Sequence, residues 1–125
     1  MTISLTVIVP TKNRAGMIQA LLESMRDLAG LDQIRPQIII ADNDSEDDTW
    51  DVLQKIKKTF PICITVMKGK RPGKSAVIND AVRLANGAML AFLDDDVTPD
   101  REWLEAGHSI SECALTSAHK PFGAE

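Results

Sequence analysis

The sequence predicts an α/β domain built on a doubly wound, mainly parallel sheet, and three observations predict it. Four short apolar runs rich in β-branched residues alternate with segments whose apolar residues recur at helical spacing. The runs lack a polar alternation, as strands covered on both faces do. The polar clusters of the chain fall at the carboxyl ends of those runs, where such sheets bind their ligands.

Ile3 to Val9 reads as the first strand, closed by Pro10. The loop PTKNRAG follows, and Ile18, Leu21, Leu22, Met25 and Leu28 then mark a helix that runs until Gly30. Ile38 to Ala41 is the second strand and opens onto DNDSEDDT. Trp50, Leu53 and Ile56 form the apolar stripe of the next helix, with Lys55, Lys57 and Lys58 near its C-terminal end, where the helix dipole favours cations. Pro61 ends it, and Ile62 to Met67 is the third strand. The basic loop KGKRPGKS leads into a helix through Val77, Ile78, Ala81, Val82 and Leu84 that stops at Asn86-Gly87. Met89 to Leu93 is the fourth strand, and Trp103, Leu104, His108 and Ile110 mark a helix after it.

At 125 residues the chain is one domain, able to remove about two thirds of its unfolded surface from water. Its apolar content of 44% and charged content of 26% are those of a soluble globular protein. A net charge of −4 excludes a general nucleic-acid binder, which presents a basic face. Cys63, in the third predicted strand, and Cys113, in the last predicted helix, read as buried small hydrophobes of a reduced compartment, not as a disulfide. No basic leader and no run of eighteen apolar residues is present, so the expectation is a soluble, cytoplasmic protein.

The chemistry concentrates at Asp94, Asp95 and Asp96. Alternation along an extended chain sends Asp94 and Asp96 to one side and Asp95 to the other, so the first and third can share a ligand. All-oxygen donors suit magnesium, manganese or calcium. The alternative is a plain helix start, with Thr98 or Asp100 near the cap. In a parallel sheet PTKNR, DNDSEDD, KGKRPGKS and DDD converge on one crevice. Acidic groups for a metal opposite basic groups point to a phosphate-bearing ligand between them.

Structural readings stand beside these. Asp42 and Ser45 are equally turn or capping residues, Asp44, Asp47 and Asp48 solvated charges, and Lys12 and Lys70 exposed; Asn79 can serve to bond backbone alone, and His108 reads as a packed histidine. His119 has no place in the pattern. Gly73-Lys74-Ser75 matches the tail of a phosphate-binding P-loop, but Gly69 stands one position too close and the loop follows the third strand, not the first. That nucleotide-hydrolysing alternative is remote.

The order of LTVIVPTKNR, IIIADNDSEDDTW, RPGKSAVINDAVRLANG and LAFLDDDVTPDREWL resembles the nucleotide-sugar-binding half of family 2 glycosyltransferases, which have the Rossmann-like GT-A fold. The resemblance covers Leu5 to about Ala106. It implies that Thr11, Asn13, Asp42 and Asn43 hold nucleobase and ribose, although Asn43 stands where the family often has aspartate. It implies Arg71 and Lys74 at the diphosphate, with Asn79 on the following helix. Asp94 to Asp96 match the DxD motif, which implies ribose or sugar contacts for Asp94 and Asp95 and the metal, Mn2+ or Mg2+, for Asp96.

The implied reaction is inverting transfer of a sugar from a nucleoside diphosphate donor, most commonly a UDP-sugar, to a hydroxyl of a carbohydrate or glycoconjugate acceptor. Inversion requires a general base. In the family that base lies in a second half beyond the acidic motif, and no residue here fills the role. The expectation is therefore a truncated domain, complete for donor binding, with a non-catalytic nucleotide-sugar-binding module as the alternative. Membrane association would come only through regions missing from the chain, and oligomeric state is not legible.

Overall fold

A computed structural model describes residues 5–69 and 73–107. Strands β1 (Leu5–Thr11), β2 (Gln37–Asp42), β3 (Ile64–Lys68) and β4 (Met89–Phe92) form one parallel sheet in the order β3-β2-β1-β4. Helices α1 (Ala15–Arg26) and α3 (Thr49–Thr59) lie on one face and α4 (Lys74–Leu84) on the other; α2 (Leu31–Ile34) is a single turn. The chirality of parallel crossovers explains this division. The chain builds outward from β1 to β3 through right-handed crossovers on one face, then returns past β1 to β4, and a right-handed return must use the opposite face.

The two faces are unequal. Val7, Val9, Ile38 and Ile40 pack with Ile18, Leu21, Leu22, Met25 and Leu53 in a cluster of nineteen buried residues, whereas on the other face Ile8, Ile39 and Ala41 form a cluster of five with Val77 and Ala81, edged by partly buried residues such as Ile78 and Phe92. Each fully buried aliphatic side chain stabilises by about 1.5–3 kcal/mol, so the α1/α3 face carries most of the hydrophobic stabilisation. Arg26 joins the ends of the two helices there, donating to the Thr59 hydroxyl at 2.8 Å and lying over the Phe60 ring at 5.5 Å.

Three expectations need correction. Pro10 does not close β1, which continues to Thr11. The Leu93 amide donates to Ile8 O, so Ile8 faces β4, and Pro10, two residues on, turns its imide nitrogen the same way. The β1–β4 register ends at Ile8↔Phe92, so no ladder donor is needed from Pro10. Helix α1 stops at Arg26, where the amides of Asp27 and Leu28 take tighter bonds to Ser24 O and Met25 O; left-handed Gly30 (φ 82°) precedes α2, which the periodicity did not reveal. Cys63 is exposed and precedes β3 instead of lying buried within it. β3 is an edge strand, so Ile62 and Ile64 turn into the core while Cys63 between them faces solvent. Its partner in that reading, Cys113, lies outside the described residues, as do His108, Ile110 and His119.

At the amino ends of the strands a polar staple fixes where β4 begins. Gly87 N–H donates to Thr6 Oγ1 at 3.0 Å, Thr6 Oγ1 donates to Gln37 Oε1 at 2.8 Å, and Gln37 Nε2 donates to Leu84 O at 3.1 Å. The exit of α4 is thereby tied to β1 and β2. No helix among the described residues is long and apolar enough to cross a membrane.

Candidate functional site

Beyond Ile8 and Phe92 the strands β1 and β4 separate, at the point where strand order reverses. The gap is a cavity of about 530 Å3 lined by Pro10, Thr11, Lys12, Asn13 and Arg14 from β1 and its loop, Asn43 after β2, Lys74 opening α4, and Asp94 to Asp96. Its size lies within the range of small-molecule sites, about 300–1,000 Å3. Three cationic side chains, Lys12, Arg14 and Lys74, face three carboxylates.

Local chemistry shapes each wall. Asn13 is left-handed (φ 51°), a conformation asparagine tolerates. That turn aims its Oδ1 at the neighbouring loop, where it accepts from Glu46 N–H at 2.7 Å and Asp47 N–H at 3.3 Å. Asp42 is fully buried at the end of β2, and its Oδ1 accepts from Ser45 N–H at 3.0 Å and from the Ser45 hydroxyl at 2.6 Å. This is an aspartate-initiated turn, completed by left-handed Asp44 (φ 54°). Asp42 Oδ2 is the one buried side-chain polar atom without a hydrogen-bond partner among the described residues. Such atoms are scarce in folded proteins, and each calls for a physical explanation.

The acidic segment is a turn and not strand, since β4 ends at Phe92, yet the expected alternation survives. Asp94 and Asp96 are exposed, while Asp95 is turned inward and 7% exposed. Asp95 Oδ2 accepts from Thr11 Oγ1 at 2.8 Å and Asp95 Oδ1 from Arg14 Nη1 at 3.1 Å. Lys74 Nζ stands 3.8 Å from Asp94 Oδ1, with both side chains about two-thirds exposed. An ion pair that open to water stabilises the fold by at most about 1 kcal/mol and leaves Lys74 able to move.

Asp47 accepts from the Thr49 hydroxyl and amide at the start of α3, and those bonds hold its carboxyl below the usual carboxylate range.

Of the residues singled out in the sequence, Thr11, Asn13, Asn43, Lys74, Asp94, Asp95 and Asp96 line the cavity together. Asp42 lies buried, adjoining Asn43. Asn79 is exposed on α4 and does not line it. Arg71 lies outside the described residues. Arg14 was visible in PTKNR but not singled out, because its partner Asp95 is 81 positions away. No cluster of three or more His, Cys, Asp or Glu among the described residues is arranged to hold a metal ion by itself. The donors still suit Mg2+ or Mn2+: such ions are held by one or two carboxylates plus substrate phosphates and water, and Asp94 and Asp96 are exposed oxygen donors on the cavity wall.

Residues 6–107 match the family model of glycosyl transferase family 2. The chain is 29% identical over 104 residues to glycosyltransferase AglE of Haloferax volcanii, covering 83% of this chain and 34% of the relative. Among solved structures it is similar to the mannosyltransferase PcManGT from Pyrobaculum calidifontis in complex with GDP-Man and Mn2+, at 26% identity and TM-score 0.73, covering 80% of this chain and 29% of that one. S. aureus TarS 1-349 in complex with UDP-GlcNAc shares the fold at 24% identity and TM-score 0.71, covering 90% and 32%. The chain thus spans about a third of the length of these proteins. Its sheet is part of a GT-A fold, and the chain belongs to glycosyl transferase family 2.

Proposed function

We propose that this chain forms the donor site of a glycosyltransferase that moves a sugar from a nucleoside diphosphate to an acceptor hydroxyl with inversion. The observation that carries the reading is the cavity between the separated ends of β1 and β4, with its charges balanced three against three. A balanced site gains little by taking up a bare diphosphate. A divalent cation arriving with it supplies the missing positive charge. PcManGT in complex with GDP-Man and Mn2+ and TarS in complex with UDP-GlcNAc support the same ligand class.

In this reading Asp42 Oδ2 accepts an N–H of the nucleobase, beside Asn43. Asn13 holds the wall behind them and Thr11 the floor. Arg71 and Lys74 lie along the diphosphate, with Asn79 one turn further on α4, and Asp94 faces ribose or sugar. Asp96 holds Mn2+ or Mg2+, which when bound acts as a Lewis acid toward the departing diphosphate. Lys74 adds positive charge to the leaving group. The base that deprotonates the acceptor is not assigned to any described residue. UDP is the first nucleotide to test and a carbohydrate or glycoconjugate the acceptor class. Family membership removes the P-loop alternative.

Calorimetric titration of UDP, GDP and dTDP with and without manganese tests the site, repeated on Asp96→Ala. Manganese-dependent binding that the variant loses supports it; equal affinity in both removes Asp96 from the metal. Release of nucleotide from the bound donor separates an enzyme from a binding module.

A further inference from the structure

Arg14 has no assigned task in the donor site, and its partner Asp95, to which the family resemblance gives a ribose or sugar contact, is bonded to it instead; a role for the pair rests on the donor-site reading. Asp95 is nearly enclosed, and each of its carboxylate oxygens already has a donor: Thr11 Oγ1 at 2.8 Å and Arg14 Nη1 at 3.1 Å. Little of it is left to offer a ligand. Arg14 is the opposite case. Its side chain is 49% exposed and lines the cavity, and among the described residues only Nη1 bonds to protein, to Asp95 and weakly to Met17 Sδ. A guanidinium is a rigid planar fork, so fixing one arm fixes the direction of the remaining donors. Lys74, the other cation reaching across the cavity, is held only by a 3.8 Å contact to an exposed partner.

We propose that Arg14 binds the diphosphate of the donor, and that Asp95 is a positioning residue that acts through Arg14 and does not touch the ligand. Thr11 completes the device by holding the second oxygen of Asp95, so the loop after β1 and the turn after β4 present one preorganised cation between them. A fork held in place before binding loses less side-chain freedom on meeting phosphate oxygens than a free lysine does.

The test uses the 15N-labelled chain with magnesium. It is titrated with whichever of UDP, GDP and dTDP binds, and separately with the matching nucleoside. Arg14→Met is expected to weaken the diphosphate by roughly tenfold or more while leaving the nucleoside unchanged. Arg14→Lys should fall between, since it keeps charge without the fork, and it serves if Arg14→Met loses amide dispersion. Asp95→Asn should weaken the diphosphate in the parent but add no loss in the Arg14→Met background. Equal weakening of nucleoside and diphosphate, or of neither, overturns the role of Arg14. A full further loss from Asp95→Asn in the Arg14→Met background overturns positioning and makes Asp95 a direct ligand. Failure of the unmodified chain to bind any of the three diphosphates would instead refute the donor site itself.

Discussion

The backbone amide of Asn13 donates to the Ser45 hydroxyl at 2.8 Å, and that hydroxyl donates in turn to Asp42 Oδ1 at 2.6 Å. One serine therefore joins the loop after β1 to the carboxylate that ends β2. It also sets which Asp42 oxygen is used internally and leaves Oδ2 without a partner among the described residues.

Removing that relay should be felt in both stability and binding. Ser45→Ala deletes one of two bonds to a fully buried acceptor and is expected to destabilise the fold by about 1–3 kcal/mol. Urea unfolding measures the loss, and nucleotide titration should show weaker affinity, because Asp42 is then held by the Ser45 amide alone.

Asp42→Asn separates the turn-forming role of that residue from the proposed contact with the nucleobase. The substitution turns the partnerless acceptor Oδ2 into a donor with no partner of its own, so stability of the free chain should change little. A nucleobase N–H would then meet an N–H. Affinity for the bound nucleotide should fall roughly tenfold or more. Unchanged affinity by calorimetry would place the base elsewhere.

The left-handed conformation of Asn13 gives a paired test. Asn13→Gly and Asn13→Ala both lose the Oδ1 acceptor for Glu46 and Asp47, but only alanine adds backbone strain, about 1–2 kcal/mol in this region. Alanine should therefore melt below glycine, and differential scanning calorimetry of the two variants reads the gap.

Gly87 sits where no side chain fits. A Cβ there would stand 2.5 Å from Thr6 Oγ1 and 2.9 Å from Leu5 C, against the β1 backbone, which cannot yield as a flexible side chain would. Gly87→Ala is expected to cost about 1–3 kcal/mol. A lowered urea midpoint, with weakened hydrogen-exchange protection across β1 and β4, is the expected signature.

The lowered Asp47 carboxyl predicts a small acid effect at the start of α3. Its folded value lies below the unfolded one, so the contribution is present above the ordinary carboxylate range and is lost as pH falls through the folded value. Thr49→Val keeps the volume but removes the hydroxyl, and the carboxyl should move back toward its ordinary range. Carboxyl-carbon NMR of Asp47 across the acid range tracks both.

Much of this protein was legible along the chain because its signals are local. Apolar β-branched runs, helical spacing and loop composition located β1 to β4 and the three long helices. Neighbouring residues are enough to decide whether a segment is extended or coiled. The alternation that turns Asp95 away from Asp94 and Asp96 is equally a property of successive residues. Parallel strand direction, which strand–helix alternation implies, then places the loops that follow the four strands at one end of the sheet, before any distance is known.

What tertiary structure alone decided were the pairings between distant residues: Arg14 and Thr11 on Asp95, Asn13 on the loop after β2, Pro10 beside the end of β4, and Cys63 turned to solvent on an edge strand. Each depends on which strand ends beside which and which face a helix leaves bare. Sequence patterns encode a residue's own conformation and preference for burial, but the partner that satisfies a buried carboxylate is chosen by folding the whole sheet.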